Sequence, residues 1–490
     1  MRTIIGIDVG TTHIKSLLFS EQGRVIRQEK QKTPLSDDGR GSVYRPEEIW
    51  KTVESQLRCL LQYGGGRVMG ISITGMAEAG LIVNRSTGRE ESAILPWFDG
   101  RTQKLAQELD PEREKEIFAR TGLRNSFKYG IYKFLWLLSG TGVEKKDAVW
   151  LSMCDFIAWK LTGRFVTEPG FAARTYVYDI RKKDWDEGRI REYGLEPENF
   201  PEVVPSGSTV GFWRTEEGEI PVAIAGHDHI CAAFGLLYHD ESGICDSAGT
   251  SETYVGRLGE DAAFSWETGM LYGPFVDGGY FFMANVPSSG HSVEWFRTRL
   301  QTGELSYETM NAQLEKLEKG PTGILYYPYL TGMGSPWYEA SMRGTIFGIR
   351  EETDGFTVLK GIMEGIQYQS AWLLDILQRK HGLEAERIFC AGGSVNNRVL
   401  MQIKSDVLDK TVIAPEMPEA TLVGAAALFL KKNVGEEKAG QFTGAAFSKR
   451  EVYAPDRERS GEYRRIWKER YLPMTEILRD FYHDGGKENG

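Results

Sequence analysis

The sequence predicts an α/β protein of two domains, each built on a mixed sheet flanked by helices. Its 490 residues exceed what one hydrophobic core usually holds. The chain opens with a strand, a hairpin, a second strand, a helix and a buried strand, which is typical of a mixed α/β sheet. A strand, an aspartate and a Gly–Thr turn recur at residues 244–255. This repeat predicts two related halves, 1–243 and 244–490, that close on one ligand.

The first half alternates strands with a helix. Residues 4–7 are apolar and predict the first strand, and residues 13–19 and 25–32 predict the next two. Pro46 then opens an amphipathic helix, because apolar residues recur after it at helical spacing: Ile49, Val53, Leu57 and Leu60. Residues 68–74 predict a buried strand. Loops at strand ends carry ligands in such folds, so the residues after each strand are the candidates for function.

The first strand ends at Asp8, and a turn containing Gly10, Thr11 and Thr12 follows. Glycine lets the backbone approach a phosphate, the hydroxyl and N–H groups bind its oxygens, and the carboxylate can anchor a cation through water. The stretch therefore fits a metal-bound polyphosphate. An ordinary turn in a β-meander fits it equally well, but the second copy at residues 246–251 favours the phosphate site.

The composition is that of a globular protein and argues against several kinds of partner. Hydrophobic residues make up 41% of the chain, and no apolar run is long enough to span a membrane. The net charge of −10 argues against nucleic acid. Met1 leads directly into a strand, with no signal-peptide pattern. The five cysteines are scattered and never form a C-x-x-C pair, which predicts a cytoplasmic protein.

Residues 97–101 combine an aromatic ring, a carboxylate and a guanidinium. The Trp97 ring can pack against C–H groups, while Asp99 and Arg101 can hydrogen-bond hydroxyls, so the stretch predicts a sugar or polyol pocket. The competing interpretation is a surface turn closed by an Asp–Arg pair. The turn at residues 76–80, after the buried strand, is the other candidate for this pocket.

An apolar strand at residues 222–225 leads into His227, Asp228, His229 and a helix of small residues. Asp228 would lie at the end of the strand and beside a helix N-terminus, where it stays ionised and can accept a proton from a substrate hydroxyl. Alternatively, Asp228 only caps the helix. A metal site of the two histidines is disfavoured, because no further His or Cys cluster occurs in the sequence.

The second half contributes a third glycine-rich strand end. The apolar residues 388–391 lead into Gly392 and Gly393, and a helix follows Asn397. The backbone of a Gly–Gly turn can lie flat against ribose and adenine, which predicts a nucleoside site. The sequence has no Walker A or G-x-G-x-x-G pattern, so the P-loop and dinucleotide-binding classes are not supported.

Six motifs follow one another along the chain, from Ile5 to about Leu430. They are Gly6-Ile-Asp8-Val-Gly10-Thr-Thr12, Trp97-x-Asp99-x-Arg101, Asp155 through Leu161-Thr-Gly163, Gly226-x-Asp228, Asp246 through Gly249-Thr-Ser251, and Gly392-Gly393 through Leu400-Met-Gln402. In order and spacing they resemble the FGGY carbohydrate kinases of the actin, Hsp70 and hexokinase superfamily, xylulokinase and glycerol kinase among them. The resemblance implies two ribonuclease-H-like, actin-like ATPase domains around a central cleft. It also implies transfer of the γ-phosphoryl group of ATP to a hydroxyl of a sugar or polyol.

Position by position, the resemblance also implies roles for residues. Asp228 would be the catalytic base, and Asp8 and Asp228 would hold Mg²⁺. The residues implied for ATP are Gly10, Thr11, Thr12, Lys15, Gly249 and Thr250 at the phosphates and Gly392, Gly393 and Asn397 at the adenosine. The residues implied for the sugar are Met76, Ala77, Glu78, Trp97, Asp99, Arg101 and His229.

The identity of the acceptor stays open, with a ketose such as a pentulose expected first. Many relatives have Gln or Asn at the position of His229, and the loop that reads Gln-x-His or Gln-Arg-Glu in pentulose and glycerol kinases contains Glu78 here. Glu78 disfavours a carboxylate-bearing substrate such as gluconate, whereas Lys128, near an aromatic sugar contact of some relatives, favours one. Xylulose, ribulose, fuculose, another ketose and a tetritol remain alternatives.

Two other functions are compatible with the same fold. An actin-like or Hsp70-like ATPase switch would hydrolyse ATP slowly and would need a separate protein-binding region, which the sequence does not contain. A catalytically inactive sugar sensor is expected to have lost Asp8 or Asp228, and both are present. The expected partner is a small molecule, with no nucleic acid and no membrane, and a homodimer is possible.

Overall fold

The computed structural model describes residues 2–64, 68–106, 109–216, 218–300 and 305–485. Two large mixed sheets form its two domains. The six strands of the first sheet are β1 (Thr3–Val9), β2 (His13–Ser20), β3 (Val25–Lys32), β4 (Val68–Gly75), β5 (Thr209–Thr215) and β6 (Gly218–His227), in the order β5-β6-β4-β1-β2-β3. The seven strands of the second are β7 (Ile244–Ala248), β8 (Glu252–Leu258), β9 (Leu271–Pro274), β10 (Tyr280–Val286), β11 (Arg387–Ala391), β12 (Thr411–Pro415) and β13 (Arg450–Tyr453), in the order β9-β10-β8-β7-β11-β12-β13.

The two sheets repeat one arrangement. In the first, β1 forms an antiparallel hairpin with β2 and runs parallel to β4, which runs parallel to β6. In the second, β7 forms an antiparallel hairpin with β8 and runs parallel to β11, which runs parallel to β12. The predicted repeat is thereby confirmed. The predicted boundary between residues 243 and 244 separates the strands of the two sheets, and we propose it as the domain division.

Helices cover both sheets. They are α1 (Pro46–Tyr63), α2 (Pro111–Thr121), α3 (Gly130–Gly140), α4 (Met153–Thr162), α5 (Pro169–Ala173), α6 (Glu187–Glu192), α7 (Asp228–Leu236), α8 (Ser289–Trp295), α9 (Tyr307–Leu314), α10 (Gly355–His381), α11 (Arg398–Leu408), α12 (Ala420–Asn433), α13 (Glu436–Ala446), α14 (Arg457–Ile466) and α15 (Leu472–Gly485). The helix predicted from Pro46 is confirmed, and its four apolar side chains are buried against the first sheet.

Short two-stranded pairs complete the fold. They are Gly80–Asn84 with Ala148–Ser152, Tyr178–Asp179 with Asp184–Trp185, Val166–Thr167 with Glu202–Val203, Leu325–Tyr327 with Thr345–Phe347, and Ser36–Asp37 with Ser42–Val43. Within the described ranges, no helix combines the length and apolar character that crossing a membrane requires.

Helix α12 belongs to the second half of the sequence but packs against strands β1, β4 and β6 of the first sheet and against α7. The Ser72 hydroxyl donates a hydrogen bond to the Ala425 carbonyl at 2.7 Å. At the crossing with α7, a Cβ on Gly424 would lie 1.8 Å from the Cys231 carbonyl oxygen, and one on Gly235 would lie 2.9 Å from the Gly424 Cα. The two helix backbones therefore touch, and glycine at both positions permits it.

Candidate active site

The carboxyl ends of three parallel strands meet at one edge of the first sheet. Asp8 on β1 pairs with Thr74 on β4, and Gly75 at the end of β4 pairs with His227 at the end of β6. Asp228 follows directly as the first residue of α7. Parallel strands bring together residues that lie far apart in sequence, so three of the predicted site segments converge here.

Asp8 is half-buried, and its Oδ1 atom is fully enclosed without a hydrogen-bond partner among the described residues. Burial, together with the negative charge of Asp228, raises the pKa of Asp8 to about 8, although the Lys15 ammonium opposes the shift. A buried carboxylate oxygen without a partner is costly unless a proton or a cation compensates it. Carboxylate oxygens are ligands that Mg²⁺ prefers, so this residue fits a divalent cation.

Lys15 on β2 forms an ion pair with Glu419, whose Oε2 atom lies 2.8 Å from the Lys15 Nζ atom. Glu419 is the residue before α12. Lys15, which was predicted to bind a phosphate, is therefore paired with a carboxylate from the second half of the chain.

The hairpin after Asp8 is fixed by one hydrogen bond within it and by others from outside it. The Gly10 N–H donates to the His13 carbonyl at 3.1 Å, and the Thr33 hydroxyl donates to the Gly10 carbonyl at 2.7 Å. The Trp97 indole N–H donates to the Thr11 hydroxyl at 3.0 Å. The first hairpin and the predicted sugar-binding tryptophan are thus in direct contact, while Thr12 is exposed.

The Asp228 carboxylate is oriented by its two neighbours. His227 Nε2 lies 3.1 Å from Asp228 Oδ1, and the His229 backbone N–H donates to the same oxygen at 2.6 Å. Burial, with the nearby Arg174 charge, holds the pKa of His227 well below its usual range, so this imidazole is neutral. One ligand atom from each of His227, Asp228 and His229 lies within 4.8 Å of the others.

The loop after β4 contributes two apolar side chains and one charge. Met76 and Ala77 are buried, and Glu78 has a positive φ of 60°. Glu78 Oε1 lies 3.2 Å from Arg174 Nη1. Arg174 is the residue after α5, and it could not be identified from the sequence, because nothing near it resembles a site motif.

The structure separates Trp97 from Asp99 and Arg101. Arg101 Nε lies 2.7 Å from Asp99 Oδ1, Arg101 Nη1 lies 2.7 Å from Asp38 Oδ2, and the guanidinium stands 4.8 Å from the Trp136 ring centre. The Asp99 and Arg101 side chains are nearly buried in this network and do not line the cavity that Trp97 lines. The structure therefore contains the Asp99–Arg101 ion pair that the alternative prediction for this stretch, a turn closed by such a pair, requires.

In the second half, the hairpin between β7 and β8 lies next to a buried cluster of three charged residues, Asp246, Glu252 and Lys404. The Gly249 N–H donates to the Ser251 carbonyl at 2.9 Å, and Thr250 at its tip is exposed. Beneath it, Lys404 of α11 forms ion pairs with Asp246 and, at 3.1 Å, with Glu252. Burial raises the pKa of Asp246 to about 7, with Lys404 lowering it and Glu252 raising it. The sequence did carry a signal for Lys404, which lies on the buried side of an amphipathic helix.

The Gly–Gly turn lies beside this hairpin, because Ala391 on β11 pairs with Ser247 on β7. Gly392 has a φ of 104°, and a Cβ there would lie 2.6 Å from the Ala248 carbonyl oxygen. Gly393 is exposed, with open space where a Cβ would point. Asn397 caps α11, since its Oδ1 accepts the Leu400 N–H at 3.0 Å.

A cavity of about 590 Å³ opens between the two halves. From the predicted set it is lined by Thr11, Met76, Ala77, Glu78, Trp97, Asp228 and His229. The cavity is also lined by residues that were not predicted from the sequence: Glu114, Arg124, Asn125, Ser126, Tyr129, Arg174, His227, Thr253, Leu271, Met283, Asn285 and Tyr338. Several of these come from the second half, which no local motif could indicate. The volume is that of a small-molecule site.

Comparison with known proteins gives matches over most of the chain. The N-terminal domain of the FGGY family of carbohydrate kinases matches residues 3–235, and the C-terminal domain of that family matches residues 246–430. The glycerol kinase of Staphylococcus epidermidis is 27% identical over 450 residues, which cover 87% of this chain and 88% of that protein.

Solved structures share the fold. A gluconate kinase from Lactobacillus acidophilus superposes with a TM-score of 0.86 at 19% identity and covers 99% of both chains. A ligand-bound xylulose kinase from Lactobacillus acidophilus also reaches 0.86 at 19% identity, covering 99% of this chain and 100% of that one. The fold class predicted from the sequence, two α/β domains with mixed sheets flanked by helices, is thereby confirmed.

Proposed function

This chain belongs to the FGGY family of carbohydrate kinases, and from that premise we propose that it transfers the γ-phosphoryl group of ATP to a hydroxyl of a sugar or polyol in the cavity, with Asp228 as the base. The observation that carries the proposal is the Asp228 carboxylate, which lines the same cavity as Thr11 of the first hairpin. A base for the acceptor and a turn suited to phosphate therefore face one space.

In this reaction the acceptor oxygen forms a bond to the γ-phosphorus, the bond from that phosphorus to the β–γ bridging oxygen breaks, and Asp228 takes the acceptor proton. Phosphoryl transfer passes through a loose transition state, so alignment and charge neutralisation matter more than a strong base. The hydrogen bond from the His229 backbone N–H and the His227 ring, whose Nε2 lies 3.1 Å from the same Oδ1 atom of Asp228, support this role. They orient the carboxylate before an acceptor binds.

Asp8 and Asp228 are the residues that would hold Mg²⁺. The enclosed, unpartnered Oδ1 atom of Asp8 supports this assignment. When bound, Mg²⁺ would neutralise the charge that develops on the transferred phosphoryl group and on ADP.

The two hairpins are the proposed phosphate sites, and the Gly–Gly turn is the proposed adenosine site. The residues assigned to the phosphates are Gly10, Thr11, Thr12, Gly249 and Thr250, and those assigned to the adenosine are Gly392, Gly393 and Asn397. The exposure of Thr12 and Thr250 at the two hairpins and of Gly392 and Gly393 at the Gly–Gly turn supports the assignment, while Gly10, Thr11 and Gly249 are half-buried. Lys15 would contribute only if it exchanged Glu419 for a phosphate, because the ion pair now satisfies its charge.

Coupled measurement of ADP release over a panel of ketoses, pentitols, tetritols and aldonates tests the function. We expect ADP formation that depends on an acceptor, and a pentulose remains one of the proposed acceptors. ADP release without any acceptor would favour the ATPase switch. Nucleotide binding without turnover would favour the sugar sensor.

Asp228→Asn tests the base. It preserves the shape of the side chain and should lower kcat by roughly 10²–10⁴-fold, while the melting temperature stays within a degree or so of wild type. Asp261→Asn, at an exposed position, is the matched control. A kcat above a tenth of the wild-type value would contradict the assignment.

All five cysteines are free. Their thiol state supports the predicted cytoplasmic location, because disulfides are rare in that compartment. The homodimer stays a prediction, and light scattering after size-exclusion chromatography would test it.

A further inference from the structure

The cavity beside Asp228 carries more fixed charge than a neutral sugar requires. Its lining contains three cations and three carboxylates, namely Arg124, Lys128, Arg174, Glu78, Glu114 and Asp228. Which of these charges are already paired determines the acceptor that the cavity fits.

Glu78 and Arg174 neutralise each other. Their closest side-chain atoms lie 3.2 Å apart, and the side chains are only 14% and 6% exposed. An acceptor therefore meets an ion pair at this wall and not a free carboxylate. The sequence-based expectation that Glu78 disfavours an acidic substrate loses its basis.

Lys128 is a cation without a carboxylate partner among the described residues. Its Nζ atom lies 5.2 Å from the centre of the Trp97 ring, whose N–H is held by Thr11. The Lys128 backbone is held as well, because the buried Lys133 ammonium donates a hydrogen bond to its carbonyl. The ammonium is thus placed over a fixed aromatic face at the cavity wall.

Arg124 supplies a second cation without an ion pair in the described part of the chain. Its Nη2 donates to the Trp266 carbonyl at 2.6 Å, and its guanidinium lies 4.0 Å from the Trp266 ring centre. Its Nε–H is enclosed and makes no hydrogen bond to a described residue. Arg124 lines the cavity, so its charge acts on a ligand there without a paired carboxylate to neutralise it.

We propose that the phosphorylated substrate is an acidic sugar whose carboxylate binds between Lys128 and Arg124, while one of its hydroxyls lies at Asp228. This inference rests on the proposed kinase function and narrows it from sugars and polyols in general to sugar acids, such as aldonates or uronates. Lys128 and Arg124 take no part in the transfer itself.

The charge balance favours a carboxylate over a phosphate ester. Glu114 accepts the Asn125 N–H at 2.8 Å and lies close enough to Arg124 for its charge to act on that guanidinium. Among the charges that line this part of the cavity, Glu114 opposes Lys128 and Arg124, which leaves about +1 and matches a monoanion. Glu267 also acts on Arg124, but it is exposed and does not line the cavity. A phosphate ester carries nearly two negative charges at neutral pH.

The test compares kcat/KM for D-gluconate and D-glucitol, for D-xylonate and xylitol, and for a sugar phosphate, in the wild type and in Lys128→Met. Methionine keeps an unbranched stem against Trp97 and removes the charge. We expect the wild type to prefer the acids, and the variant to raise KM for the acids by roughly 10–100-fold, the usual range for one charge-assisted contact. KM for the matched neutral polyols should change less than about threefold.

Lys128→Arg and Lys182→Met are the controls. The first retains the charge and should restore most of the preference for acids, and the second removes an exposed lysine on the surface. The inference would be overturned if Lys128→Met lost kcat/KM equally for acids and polyols. It would also be overturned if the wild type turned over the polyols or the sugar phosphate faster than the acids. Each of these results would leave the kinase function standing. If neither these acceptors nor any ketose supports ADP release, that result would count against the kinase function itself.

Discussion

Replacing Lys404 by methionine should destabilise the second domain while leaving the cavity residues in place. Lys404 lies between Asp246 and Glu252 below the second hairpin, its Nζ atom is 3.1 Å from Glu252 Oε1, and all three side chains are fully buried. Methionine fills most of the same volume but removes the positive charge. The two carboxylates would then share a buried site with no counter-ion.

Removing one partner of a buried ion pair typically costs about 3–5 kcal/mol, because an uncompensated charge is left behind. The variant can reduce this cost by binding a proton. The pKa of Asp246 is already about 7 with Lys404 present, and it rises further when the lysine is lost. A carboxyl whose folded pKa exceeds its unfolded pKa binds more protons when folded, so stability falls as pH rises between the two values. We therefore expect the full loss near pH 8 and a smaller one near pH 5.

Urea unfolding followed by tryptophan fluorescence, at both pH values, measures the effect. Lys182→Met is the control for replacing an exposed lysine. Adding Glu252→Gln to Lys404→Met removes one of the stranded charges and should recover part of the stability near pH 8. A loss below about 1 kcal/mol at both pH values, or a larger loss at the lower pH, would contradict the predicted role of Lys404 as the buried counter-ion.

Two further predictions concern the walls of the site. Trp97→Phe keeps an aromatic ring but loses the 3.0 Å hydrogen bond to Thr11, so the acceptor KM should rise severalfold and the free energy of unfolding should fall by about 1 kcal/mol in thermal melts. An unchanged KM would argue against Trp97 as a sugar contact. Gly392→Ala places a Cβ 2.6 Å from the Ala248 carbonyl at a φ of 104°, which should cost about 1–3 kcal/mol and weaken ATP binding in calorimetric titration. Gly461→Ala, where a Cβ meets open space, is the control, and equal ATP affinity in both variants would contradict the adenosine assignment.

The sequence predicted the parts of the fold that local pattern determines. Strand β1 extends past the predicted residues 4–7 to Val9, and the Pro46 helix buries the apolar face that its spacing indicates. Asp8 and Asp228 could be singled out because each lies at or just after the carboxyl end of an apolar strand, and parallel strands carry such residues to one edge.

The charge pairing inside the site could not be predicted, because it depends on partners far apart in sequence. Asp99 and Arg101 match the pattern of a sugar-binding pair, yet Asp38, more than sixty residues upstream of Arg101, binds the same guanidinium. Arg174 neutralises Glu78 in the same way. A motif identifies which donors and acceptors are present, whereas tertiary contacts determine which of them a ligand can still reach.

The position of α12 has a consequence for the order in which the chain folds during translation. Strands β1, β4 and β6 leave the ribosome early, but the helix that covers one face of their sheet is encoded after most of the second half. Until Ala420–Asn433 emerges, the sheet residues that contact it remain uncovered, including the Ser72 hydroxyl that binds the Ala425 carbonyl. A nascent chain that stops before this helix should therefore require a chaperone, and the N-terminal half expressed alone should aggregate.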